Sequence, residues 1–134
     1  MIDKIAKKAC RLLNATQMFI RLYFNSIFKK EKGTTGVVKE EENLYVTLTS
    51  YSPRFPLLNL CLESLLEQSL KPAKLILWIA ETDEKKLPKR VWRLKERGLE
   101  IRTCEDLKSY NKIYFMLPEN KKNIVVTCDD DIIY

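Results

Sequence analysis

Three adjacent carboxylates, Asp129, Asp130 and Asp131, directly follow the apolar run NIVVTC. Carboxylates crowded together repel one another, and left uncompensated some of them would hold a proton more tightly. A divalent cation relieves that conflict, and hard carboxylate oxygens are what Mg²⁺ or Mn²⁺ prefers. Side chains alternate along extended backbone, so Asp129 and Asp131 can face one ion while Asp130 points elsewhere. An ion held by one or two carboxylates keeps open positions, which suits a bound diphosphate. The plain alternative is a solvated acidic turn that closes a strand.

The rest of the chain limits the available chemistry. It contains no histidine, and Cys10, Cys61, Cys104 and Cys128 are scattered without metal-ligand spacing. Cys/His zinc sites, Ser-His and Cys-His nucleophilic systems and histidine acid–base catalysis are therefore excluded within this sequence. All four cysteines are expected to be small buried apolar residues, as free cysteine usually is. IVVTCDDD also looks like the magnesium-holding strand of a P-loop ATPase. That reading needs GxxxxGK[ST] after an earlier strand, and Gly33, Gly36 and Gly98 are the only glycines. The same shortage excludes a GxGxxG dinucleotide fingerprint.

Four short apolar or alternating runs read as strands: Leu44 to Thr49, Lys74 to Ala80, Leu99 to Thr103 and Asn123 to Cys128. Helical patterns lie between them. Leu58, Cys61, Leu62, Leu65 and Leu66 make one stripe, with Pro56 suited to a first helical turn. Pro88 can open the next helix and Gly98 can close it in a left-handed conformation. Ile113, Met116 and Leu117 mark a third apolar face. The alternation predicts an α/β fold with a mostly parallel sheet and flanking helices. In such a sheet ligands bind beyond the carboxyl ends of the strands. There the sequence places Ser50 to Arg54, Glu81 to Asp83, Cys104 to Lys108 and the Asp129–Asp131 triad. Hydroxyls, carboxylates, an arginine and lysines on one rim describe a site for something polar that carries phosphate. Trp78 and Trp92 sit inside elements and read as core or interface residues, not sugar platforms.

Charge is distributed unevenly. Residues 1–32 hold eight Lys/Arg against Asp3 and Glu31, whereas residues 33–134 hold sixteen basic and sixteen acidic groups. The formal charge of +6 thus belongs to the N-terminal segment and does not indicate nucleic-acid binding by the balanced remainder. Residues 1–32 read as a basic amphipathic helix, with Ile5, Leu12, Leu13, Phe19, Ile20 and Tyr23 at helical spacing. No apolar stretch approaches the roughly 20 residues of a membrane span, and no signal-peptide cleavage site is clear. The helix either packs on the body or a partner chain, or lies on an anionic membrane surface. Residues 33–43 read as a polar linker.

The motifs VTLTSYSPRF, LLEQSLKP, LILWIAE, EDLKSYNKI and IVVTCDDDIIY, in this order, together resemble the nucleotide-sugar-binding half of a bacterial GT-A fold, family 2-like glycosyltransferase. The resemblance covers about residues 44–134 and implies a partial, Rossmann-like GT-A sheet. It implies that Thr49, Ser50 and Tyr51 lie against the nucleoside and that Arg54 reaches the diphosphate. It places Glu81 and Asp106 against base or ribose and lets Lys108 and Lys112 neutralise phosphate charge. Asp129-Asp130-Asp131 matches the DxD motif, whose first acid faces the ribose and whose last holds Mg²⁺ or Mn²⁺. The expected ligand is a nucleoside-diphosphate sugar, for transfer to a surface glycan. The family's catalytic base lies downstream of DxD, so the resemblance implies a donor half truncated after DxD and without turnover alone. Such a truncation leaves an unpaired sheet edge, an aggregation hazard, and the expectation is a marginal or oligomeric protein in isolation. The expected location is cytoplasmic, peripheral at the inner face of the membrane if the basic helix binds lipid. The competing expectation is a non-catalytic module that uses residues 1–32 to reach a membrane or a partner chain.

Overall fold

A computed structural model describes residues 2–28, 39–119 and 122–134. The elements are α1 (Ile2–Phe28), β1 (Lys39–Ser50), α2 (Phe55–Leu66), β2 (Leu70–Ala80), α3 (Lys89–Arg93), β3 (Leu99–Cys104), α4 (Asn111–Tyr114) and β4 (Ile124–Thr127). The strands form one sheet in the order β3-β2-β1-β4. Every pairing in it is parallel. The α/β architecture with helices flanking a parallel sheet is therefore present as expected.

β2 explains how a continuous apolar run serves two faces. Its side chains alternate. Leu75, Leu77 and Ile79 join Leu48, Leu58, Leu62 and Val91 in the core beneath α2 and α3. Ile76 and Trp78 join Cys104 and Met116 on the opposite face. Fully burying each such side chain stabilises by about 1.5–3 kcal/mol, so the central strand is the apolar anchor of the fold. The Trp78 indole N–H donates to Thr47 Oγ1 at 3.1 Å, so its polar edge is satisfied inside the sheet. Trp92 packs partly buried against the first core.

Local signals match the helix ends. Proline occupies the first turn of α2, where its missing N–H costs nothing. Gly98 adopts φ 108° at the end of the 3-10 turn that extends α3, a conformation that suits glycine. All five residues of the expected α2 stripe are buried.

Three details differ from the sequence reading. β1 begins at Lys39 and pairs with β2 from Leu70 onward, so the expected linker contributes its second half to the sheet. Backbone hydrogen bonds extend a strand whatever the side chains, and Glu42 and Asn43 stay exposed. Residues 29–38 lie outside the described residues. α4 is a single turn, and only Met116 of its expected apolar face is buried, while Ile113 and Leu117 are exposed. Cys10 is exposed, whereas Cys61, Cys104 and Cys128 are buried, because Cys10 lies on a stretch of α1 that nothing in the body covers.

One feature of the core had no sequence signature. Glu63 of α2 and Arg97, just before Gly98, form an ion pair with side chains 0% and 2% exposed.

Candidate functional site

Parallel strands all end on one rim, and the strand order makes one place on that rim special. From β1 the chain winds outward to β2 and β3, then returns to place β4 on the other side of β1. The switch between β1 and β4 opens a crevice where α/β sheets bind ligands. A cleft of about 710 Å³ lies there. Thr49, Ser50, Tyr51 and Arg54 line it from the end of β1, Asp106, Lys108 and Lys112 from the segment after β3, and Asp129 and Asp130 from the end of β4. Residues far apart in sequence meet because four strands stop at the same level.

The acidic triad is divided between two cations. Arg54 Nη1 donates to Asp130 Oδ1 at 2.7 Å and to Asp131 Oδ2 at 2.9 Å. Lys112 Nζ donates to Asp129 Oδ1 at 2.6 Å. Residues 130 and 131 form a turn beyond β4, so the alternation of extended backbone stops at Asp129, and Asp130 and Asp131 reach the same guanidinium. Asp131 lines the adjoining groove that also contains Arg54 and Asp130. The Arg54 guanidinium also stacks 5.7 Å from the Tyr51 ring centroid, an added attraction of the kind aromatic faces offer cations. The Asp130 hydrogen bond is the main reason the Arg54 proton is held more tightly than in a lone arginine. Lys112 in turn holds the Asp129 carboxyl below the usual carboxylate range.

Two buried polar atoms at the crevice lack hydrogen-bond partners, Ser50 Oγ and Asp130 Oδ2. Their residues are only 6% and 8% exposed. Leaving such groups unpaired costs about 1–3 kcal/mol each, and unsatisfied groups of this kind often mark a place that a ligand or ion completes. Thr49, by contrast, spends its hydroxyl on the Trp78 carbonyl at 3.0 Å.

The β3 side supplies a second charge pair. Asp106 accepts from the Lys108 backbone N–H at 3.0 Å and from Lys108 Nζ at 2.6 Å. The Lys108 contacts lower the Asp106 pKa from its ordinary value. Lys108 itself sits at φ 58°, the left-handed region that costs an L-residue about 1–2 kcal/mol. Lys108→Gly is therefore expected to be more stable than Lys108→Ala by about 1 kcal/mol, once glycine's extra unfolded-state entropy is subtracted. Both variants lack the ammonium, so urea denaturation of the pair isolates the backbone. Equal midpoints would show that the loop relaxes around residue 108.

Glu81 is exposed and does not line the cleft. Its backbone N–H bonds the Cys104 carbonyl, and the chain then turns, bringing Asp83 into the lining instead. Asp83 Oδ2 accepts from the Ser52 backbone N–H at 3.0 Å and so ties the β1–α2 loop to the end of β2. Lys86 is the main cause of its lowered pKa. Asn111, buried in the cleft wall, accepts from the Leu107 N–H at 2.8 Å. Asp83 was visible in sequence as one of three polar residues after the strand. Asn111 carried no signal, because an amide that shapes a loop looks like any surface asparagine.

The buried Cys61 and Cys104 are not candidates for this chemistry. Burial pushes the Cys61 thiol up to about 12 and the Cys104 thiol up to about 11, far from the thiolate range that nucleophiles and metal ligands need. Among the described residues no helix is long and apolar enough to cross a membrane. Comparison with family models, with curated proteins and with solved structures finds no match to this chain.

Proposed function

We propose that the chain binds a nucleoside-diphosphate sugar in the cleft at the β1–β4 switch, as the donor-binding part of a glycosyltransferase. The observation that carries this reading is the meeting of Asp129 and Asp130 with Arg54, Lys108 and Lys112 around one cleft at the strand ends. Cations recognise the diphosphate, carboxylates recognise ribose hydroxyls, and the Tyr51 ring offers a face for a base.

The charge balance supports dependence on a divalent cation. Three carboxylates face two cations, Arg54 and Lys112. A diphosphate entering alone must take those cations from carboxylates that would be left repelling it. Among the described residues no three Asp, Glu, Cys or His side chains form a ready cage. Mg²⁺, however, is commonly held by one or two carboxylates together with substrate phosphates. The hard oxygens of Asp129 and Asp131 fit that role for Mg²⁺ or Mn²⁺, and Asp130 Oδ2 is an acceptor still lacking a partner. When bound, the ion supplies charge neutralisation for a leaving diphosphate. Arg54 and Lys112 then act on the phosphate oxygens, and Asp106 orients Lys108 toward the same space. Transfer to an acceptor hydroxyl also needs a base, and no residue of the cleft is assigned that task.

Calorimetric titration with UDP, GDP and CDP, each with and without Mn²⁺, tests the reading. At least one nucleotide should bind, at least tenfold tighter with the metal. Asp129→Asn combined with Asp131→Asn should remove the metal-dependent gain. No binding by any nucleotide, or a gain that survives the double variant, would overturn the assignment.

A further inference from the structure

The long N-terminal helix is oriented against the expectation for a helix that packs on its own body. Leu22, 1% exposed, is its buried contact, and Arg21 pairs with Glu67 of α2 at 2.8 Å. Every residue from Lys7 to Arg21 is exposed. Leu12 and Phe19, and likewise Leu13 and Ile20, are spaced by seven and share one stripe. At 3.6 residues per turn Leu13 and Ile20 lie on the side opposite Leu22. These four large apolar side chains are 44–67% exposed. Leu13 and Ile20 thus look away from the protein, Leu12 and Phe19 flank them toward the body, and Lys7, Lys8 and Arg11 occupy the remaining circumference on the Leu22 side.

A helix whose described residues 7–21 are all exposed is marginal in water, because most helical stability in proteins comes from burying an apolar face. The choice of what covers this face follows from charge. The whole formal surplus of +6 lies within residues 1–32, which attracts an anionic surface and disfavours self-association of like-charged helices. An apolar stripe bordered by lysine and arginine is the pattern of helices that lie in the plane of a membrane interface. The apolar surface also continues onto the body. Phe19, Leu57 and Ile132 line a groove of about 440 Å³ that shares Arg54 and Asp130 with the strand-end cleft.

We infer that α1 docks its outward face on an anionic lipid surface, holding the body on the water side with the cleft beside the headgroups. The inference does not depend on which ligand the cleft binds. Co-sedimentation of the full chain with phosphatidylcholine vesicles, with and without one quarter phosphatidylglycerol, tests it. Binding is expected on the anionic vesicles and at least tenfold weaker on neutral ones, falling as salt rises. Leu13→Glu with Ile20→Glu should abolish it, and Lys7→Glu, Lys8→Glu and Arg11→Glu together should weaken it at least tenfold. All these positions are exposed, and unchanged urea midpoints will confirm that the variants fold. Equal binding to both vesicle types, or binding unaffected by either variant, overturns the inference. So does a chain that ignores vesicles but forms dimers that Leu13→Glu with Ile20→Glu disperses, since the occupant would then be a second copy.

Discussion

Replacing Arg97 by leucine is expected to destabilise the protein by about 3–5 kcal/mol. Glu63 is fully buried and its partner nearly so. Removing the guanidinium leaves a carboxylate in a low-dielectric interior without the charge that compensated it. Against a total stability of about 5–15 kcal/mol for a domain, the loss is large. Leucine is chosen to limit the cavity, so that most of the effect reports the abandoned charge. The double variant Glu63→Leu with Arg97→Leu should recover most of the stability, because an apolar pair of similar volume avoids the desolvation of two ions. Arg97 Nε and Nη2 have no hydrogen-bond partner, which makes the native pair less favourable than a fully satisfied one and the recovery more complete. Urea denaturation of the three variants measures the cycle. A single variant within 1 kcal/mol of the parent, or a double variant as unstable as the single, would show that the pair does not behave as a buried ion pair. The Arg97→Leu deficit should also shrink as pH falls, since burial favours the protonated form of Glu63 once its cation is gone.

The second large effect is expected at Arg54, and it has opposite signs for two ligands. On the proposed reading, Arg54→Ala weakens nucleoside-diphosphate binding by about 10- to 100-fold, the loss of a charge-assisted hydrogen bond worth about 1.5–3 kcal/mol. The same change should tighten Mn²⁺ binding measured without nucleotide. Arg54 bridges Asp130 and Asp131, and a cation entering the triad must compete with it. Removing the competitor frees two carboxylates for the metal. On the same reading that competition would link the two affinities, with metal binding releasing the arginine to phosphate and each ligand helping the other. Arg54→Lys should keep part of the electrostatic effect and lose the planar guanidinium's additional donors. Calorimetry for the nucleotide and electron paramagnetic resonance for Mn²⁺ give the two constants. Parallel losses in both would mean that Arg54 organises the loop and does not exchange partners.

The sequence determined more about the sheet than about the site. Alternation of apolar runs with helical stripes is a local signal, and it was enough for the strand–helix order, the parallel sheet and the buried stripe of α2. Pro56 was readable because proline suits a first helical turn and is disfavoured farther into a helix, and Gly98 because glycine is nearly alone in tolerating its positive φ. The strand ends were legible as well, so nine of the ten residues proposed for the nucleotide sugar line one cleft. What they contact was not. Which carboxylate meets Arg54 depends on a turn at residues 130–131, and a turn cancels the alternation that holds in a strand. Asp83 and Asn111 entered the wall because loops folded back, which no periodicity encodes. Glu63 and Arg97 are 34 residues apart and look like ordinary surface charges until α2 and the end of α3 are packed together. The same holds for α1. Its amphipathic pattern is local and was visible, but the direction of its apolar face is set by Leu22 and the Arg21–Glu67 pair, contacts that exist only once the helix is seated on α2.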